Sequence, residues 1–138
     1  MRISEQWLRD WVQFSEPTAE LSRRLTMAGL EVAGVQPAAA AFSGVVVGEI
    51  IRCAPHPNAD RLKLCEVQIG EPEPVPVVCG APNARPGLKA PFALVGAQLP
   101  DGLRIRQTRL RGEPSKGMLC SAKELGLADD ATGLLELP

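Results

Sequence analysis

The sequence predicts a mainly-β fold, a small barrel of short strands, carrying a helical (α+β) appendage at its N-terminal end. Three observations predict it. Eleven of the thirteen prolines lie after residue 50, which excludes long helices there. Beyond residue 42 the apolar runs are short, and turn-forming clusters separate them at near-regular spacing. Before residue 39, by contrast, apolar residues recur at helical spacing.

Taken in chain order, Ser4 is placed to cap a helix that carries Trp7, Leu8, Trp11 and Val12 on one face. Pro17 suits the first position of a second helix after Ser15 or Glu16. Leu21, Leu25 and Ala28 continue its stripe, and Gly29 is placed to stop it. LEVAGV, residues 30–35, reads as a short strand; Pro37 and the alanines at 38–41 read as a connector. The division expected is therefore a helical segment, residues 1–39, and a β domain, residues 40–138. In the second part VVVGEII, LKLCEV, VPVVC, APFALVGA, LRIRQTRL and GMLCS are the strand candidates. HPNAD, GEPEP, GAPNARPG, LPDG and RGEPSKG are the turns, and SAKELGL is a candidate short helix. Five or six such strands suit an OB-fold Greek-key barrel. In LRIRQTRL, Leu103 and Ile105 alternate with Arg104 and Arg106, whereas Leu110 lies between Arg109 and Arg111. The inward parity switches, which predicts a bulge or turn near Gln107 to Arg109, with leucines inward and arginines outward throughout.

Composition narrows the function. With 138 residues and 45% hydrophobic content the chain can build one core plus a small appendage. No apolar run approaches the ~18 residues a membrane span needs. MRISEQWLRDW has acidic residues and no apolar stretch of the secretory kind, so a cytoplasmic chain is expected. Fifteen basic against sixteen acidic residues exclude a globally basic nucleic-acid binder, so any such contact must be local. One histidine and no tyrosine leave little for acid–base catalysis. Cys53, Cys65, Cys79 and Cys120 form no CxxC pair, which disfavours zinc; they read as small buried hydrophobes in a reducing compartment.

Two segments carry candidate chemistry. Pro55 and Pro57 hold His56 in an extended segment, and Asn58 and Asp60 can tighten the turn that follows. His56 with Asp60 and either Ser115 or Ser121 invites a catalytic reading, yet no nucleophile elbow frames either serine. A rigid turn with a surface histidine and a direct ligand contact both stay open. The second segment is LRIRQTRLRGEPSKG, with Arg104, Arg106, Arg109, Arg111 and Lys116. Outward arginines on a barrel strand either pair with phosphates or solvate a sheet edge. Arg61, Lys63, Arg85 and Lys89 extend the patch if their loops converge. Stacking platforms are scarce: from residue 42 on, the aromatics are Phe42 and Phe92. From residue 40 on, basic and acidic residues balance, so RNA binding is expected to be weak, salt-sensitive and directed at the backbone.

HPNADRLKLCEVQIG, VVCGAPNARPGLKAPFALVGAQLPDG and LRGEPSKGMLCSAKELGL together resemble the tRNA-binding domain found in several tRNA-linked proteins. MRISEQWLRDWV followed by LTMAGLEVAGV resembles the opening of the beta subunits of bacterial phenylalanyl-tRNA synthetases. The resemblance implies an OB barrel within the N-terminal fragment of a much longer chain. It implies a parent heterotetramer of two alpha and two beta subunits that joins phenylalanine to its tRNA with ATP and magnesium. The catalytic site would belong to the alpha subunit, so this piece would hold no catalytic residue, metal or cofactor of its own. Partners would be tRNA, the alpha subunit and the rest of the beta subunit. The family's motifs fall on His56, Pro57, Asn58, Ala59 and Asp60; on Gly80, Ala81, Pro82 and Asn83; and on Arg111, Gly112, Ser115, Gly117, Met118, Ser121 and Glu124. The candidate RNA contacts are His56, Asn58, Asp60, Arg61, Asn83, Arg85, Arg104, Arg106, Arg109, Arg111, Ser115, Lys116, Met118 and Ser121. In the family the helical segment is completed by later chain. About forty residues cannot bury an adequate core alone, so Trp7, Leu8, Trp11, Leu21 and Leu25 are expected to find cover on the barrel or on a second copy. The rival expectation is a free-standing tRNA-binding or chaperone-like homodimer, which the helical opening disfavours.

Overall fold

The structure, a computed structural model, describes residues 1–38 and 41–138; Ala39 and Ala40, in the expected connector, lie outside the described residues. The chain divides into two compact units, Met1–Ala38 and Ala39–Pro138.

In the first unit, α1 spans Glu5–Trp11, and the Ser4 hydroxyl caps it by accepting the Trp7 N–H at 3.3 Å. Arg9 donates to Glu5 at 2.6 Å, stacks on the Phe14 ring 4.2 Å away and donates to the Phe14 and Glu16 carbonyls. Thr18 donates to the other Glu5 oxygen at 2.7 Å, which ties α1 to the start of α2, Thr18–Met27. Pro17 stands one position earlier than expected: its ψ of 156° is extended, so the helix begins after it. Gly29 closes α2 as expected. Its N–H bonds Thr26 and the Leu30 N–H bonds Leu25, the paired closure of a Schellman motif. Residues 30–35 are not a strand. A strand persists only beside a ladder partner, and here the Val32 N–H bonds the Thr26 hydroxyl instead.

The second unit contains β1 (Ser43–His56), β2 (Ala59–Gln68), β3 (Val75–Cys79), β4 (Lys89–Gln98), β5 (Thr108–Leu110), β6 (Glu113–Ser115) and β7 (Met118–Leu119). Five of them make one antiparallel sheet in the order β3-β2-β1-β4-β7, and β5 pairs β6 in a separate hairpin. This is the strand order of the OB type, but among the described residues the ladders do not close into a barrel. Two bonds span the seam between the edges: the Lys116 N–H to the Pro76 carbonyl at 2.9 Å, and the Val78 N–H to the Ser115 hydroxyl at 3.2 Å. β1 serves both halves, pairing β4 through Glu49 and β2 from Glu49 onward. It can do so because residue 48 is glycine: a Cβ there would lie 2.6 Å from Val67 and 3.1 Å from Phe92.

Residues 90–93 of β4 are buried on both faces. Ile50, Val67, Val77, Phe92 and Leu119 fill one core, while Ala93, Ala97, Leu99, Ile105, Cys120 and Leu125 form another. Phe92 is fully enclosed.

Three local expectations need correction. LRIRQTRL is not one strand: Arg104 makes only an isolated bridge with Gln98, and Thr108 opens a new hairpin. The interruption precedes the expected bulge because Ile105, the buried member, anchors the chain through two backbone bonds, to Ala97 and from Gly96. Leu103 and Leu110 are exposed rather than inward, being 46% and 41% accessible. The arginines do face outward. SAKELGL is a single capped turn, not a helix. Ser121 and Glu124 exchange capping bonds, but Gly126 and the Leu127 N–H to Ala122 bond end it at once.

Candidate nucleic-acid interface

The hairpin β5–β6 reverses through Arg111 and Gly112, with φ of 54° and 96°. Two successive positive φ values give the turn whose twist suits a two-residue hairpin loop. Ser115 and Lys116 fasten the base of the hairpin to β3 through the seam bonds above. His56 fastens its tip. The ring is 5% exposed; Nδ1 accepts the Asn58 N–H at 3.0 Å, so the proton resides on Nε2, which donates to the Leu110 carbonyl at 3.1 Å. The β1–β2 turn is thereby held beside the hairpin tip. Asn58 on the turn and Asp60 and Arg61 at the start of β2 are exposed, as are Arg109 and Arg111 on the hairpin. Arg106 leads into the hairpin, and Arg104 lies further back at the Gln98 bridge. Among the described residues, Arg61, Arg104, Arg106, Arg109, Arg111 and Lys116 form no ion pair.

The other candidates are engaged within the fold. The Asn83 side chain accepts the Leu134 N–H at 2.8 Å and donates to the Leu134 carbonyl at 3.0 Å, so it pairs with the tail as a strand would. Arg85 grips Glu136 with two bonds, at 2.9 and 2.8 Å. That guanidinium, helped by the Asn83 amide, lowers the Glu136 carboxyl to about 2. The Ser115 hydroxyl bonds Val78 and Gly117; the Ser121 hydroxyl bonds Glu124; Met118 is half-buried. Lys63 donates to the Pro82 and Ala84 carbonyls and Lys89 to Pro138. No local pattern announces that His56 and Asn83 act as staples, because their partners lie 54 and 51 residues away.

With both ring nitrogens occupied by main chain, His56 forms no proton relay with Asp60 or either serine. A shallow groove of about 840 Å³, lined by Cys79, Pro82, Pro100, Met118 and Glu124 among others, lies at the junction of the 79–82 loop and the tail. Cys53, Cys65 and Cys79 cluster beside it, with the Cys53 and Cys65 sulfurs 3.6 Å apart. Cys65, Cys79 and Cys120 are buried and Cys53 half-buried; all four are free thiols.

An open five-stranded Greek-key sheet that presents unpaired cations on a pinned hairpin belongs to the OB class of nucleic-acid-binding modules. Residues 45–138 match the profile of the family described as "Putative tRNA binding domain", and the chain belongs to that family. Over its whole length it is 64% identical to the phenylalanine–tRNA ligase beta subunit of Methylococcus capsulatus and 55% identical to that of Dickeya dadantii. It is 54% identical over 137 residues to that of Legionella pneumophila. In each case the chain spans 17% of the relative's length. Among solved structures, the C-terminal domain of Plasmodium vivax p43 is similar at a TM-score of 0.44 and 20% identity, over 54% of this chain and 42% of that one. No helix among the described residues is long and apolar enough to cross a membrane.

Proposed function

We propose that this chain is the tRNA-binding region of a phenylalanine–tRNA ligase beta subunit, and that it contacts tRNA through the hairpin 108–115 and the turn 57–61. One observation carries the contact: Arg109 and Arg111 are exposed, form no ion pair among the described residues, and flank Leu110, whose carbonyl the buried His56 ring binds. Phosphates are the ligand that such cations suit, and bidentate guanidinium pairing is available to each arginine. Bases are not read by stacking, since Phe92 is enclosed and only Phe42 is left on this unit. The holoenzyme would attach phenylalanine to its tRNA with ATP and magnesium, in the cytoplasm, with catalysis on the alpha subunit. This chain contributes architecture and a weak, salt-sensitive grip. The Met1–Ala38 unit is part of a small split domain, and its apolar side chains also support association of two copies.

The experiment is filter binding of a tRNA transcript at two salt concentrations. Arg109→Ala with Arg111→Ala weakens binding and flattens the salt dependence, by about 0.9 in log–log slope for each phosphate no longer neutralised. Unchanged affinity would reduce the basic hairpin to a solvated face.

A further inference from the structure

We infer that His56 is the positioning residue of this interface: its buried imidazole locks the β1–β2 turn to the tip of the basic hairpin and so sets where Arg109 and Arg111 present their charge. The inference rests on the tRNA-contact reading above and adds a residue that touches no RNA.

The hairpin needs such a lock. Its strands are three residues each, and they pair only with one another. A two-stranded hairpin of that size is not stable unsupported. Ser115 and Lys116 secure only its base, at the seam with β3. Near the tip, Leu110 is 41% exposed and adds little packing, so the His56 bond to its carbonyl is the polar tie that holds the arginines. The imidazole suits the task because it is both acceptor and donor along one rigid ring. The Asn58 N–H fixes the tautomer, and the tautomer aims the remaining proton at Leu110. Pro55 and Pro57 on either side restrict the backbone that carries it. Without the tie, the tip is free to swing about its base, which moves Arg109 and Arg111 away from the β1–β2 turn.

Two substitutions take the tie apart. Asparagine places an acceptor where Nδ1 stands and has nothing to reach Leu110; glutamine places a donor where Nε2 stands. In the full chain, His56→Gln therefore keeps affinity for a tRNA transcript within about threefold, whereas His56→Asn weakens it about tenfold. The salt slope of His56→Asn falls by about as much as in the Arg109→Ala, Arg111→Ala variant. Adding His56→Asn to that variant costs nothing further, because the cations it positions are already gone. A role confined to stability would lower the melting temperature, leave the slope unchanged and add fully to the effect of the arginine substitutions; that pattern overturns the inference. Amide exchange reads the lock without RNA: residues 108–115 exchange faster in His56→Asn and not in His56→Gln. Equal exchange in all three proteins overturns the inference whatever the RNA result. Arginine substitutions that leave affinity unchanged, with exchange altered as expected, sink the tRNA reading and leave the lock standing.

Discussion

Cys79 lines the groove beside the 79–82 loop, and its sulfur accepts the Ala81 N–H at 3.4 Å. The Cys65 thiol beside it, the Ala81 N–H and the Lys63 ammonium outweigh burial and hold Cys79 below the usual thiol value. Cys65, set between the Cys79 and Cys53 sulfurs and itself buried, is pushed up. Cys120 has burial and Glu124 against ionisation and rises to about 12. At pH 8, limiting iodoacetamide is therefore expected to modify Cys79 before Cys120, as read by peptide mass spectrometry; the reverse order would show that the groups around Cys79 do not lower it. Glu136 gives a second residue-scale expectation. Its folded value of about 2 lies below the ordinary 4.5, so the attachment it supports is complete above pH 4.5 and is lost as pH falls toward 2. Amide protection at Leu134 and Leu137, whose N–H groups bond Asn83 and Lys89, should decline across that window. The four cysteines read from sequence as small hydrophobes. Their unequal acidity was not legible, because it depends on donors from β2 and from the 79–82 loop.

At the scale of elements, the β5–β6 hairpin holds the one strained residue, among the described residues, that also carries charge. Arg111 has a φ of 54°, which a side chain with a Cβ adopts at a cost of about 1 kcal/mol. Arg111→Gly is thus expected to stabilise the hairpin tip, seen as slower amide exchange at Leu110 and Glu113, while it weakens tRNA binding through removal of the cation. Weaker protection would show that the arginine side chain supports the turn. The parity of apolar positions correctly signals that the segment after Leu103 changes direction and keeps its arginines outward. It places the change too late and buries two leucines that are exposed. Alternation locates a side chain relative to a sheet, and here the chain leaves the sheet after Ile105. A similar limit applies to residues 30–35: their extended pattern has no partner strand, and only a partner turns extended chain into sheet. SAKELGL fails as a helix for a different reason, since Gly126 arrives before a second turn can form.

For the molecule as a whole, the two units differ in how well they are filled. Ala39–Pro138 has two buried clusters, whereas neither α1 nor α2 buries a residue. Trp7 and Trp11 meet edge to face at 6.4 Å yet remain 58% and 76% exposed. Apolar surface of that kind favours association. Light scattering during size exclusion is expected to show a concentration-dependent dimer whose formation shifts tryptophan emission to shorter wavelength, and Trp7→Glu with Trp11→Glu should abolish both. A monomer at all concentrations with water-exposed emission would count against it.

The sequence by itself determined the order and kind of most elements, the capping of α1, the closure of α2 and the outward arginines, because each follows from spacing and from the chemistry of neighbours within a few residues. Only the tertiary structure decided that His56 is buried as a staple, that Asn83 holds the tail and that Ser115 bridges the seam. The physical reason is one of distance along the chain: a hydrogen bond is short in space, but the partners of these side chains stand 54, 51 and 37 residues away, where no local pattern records them.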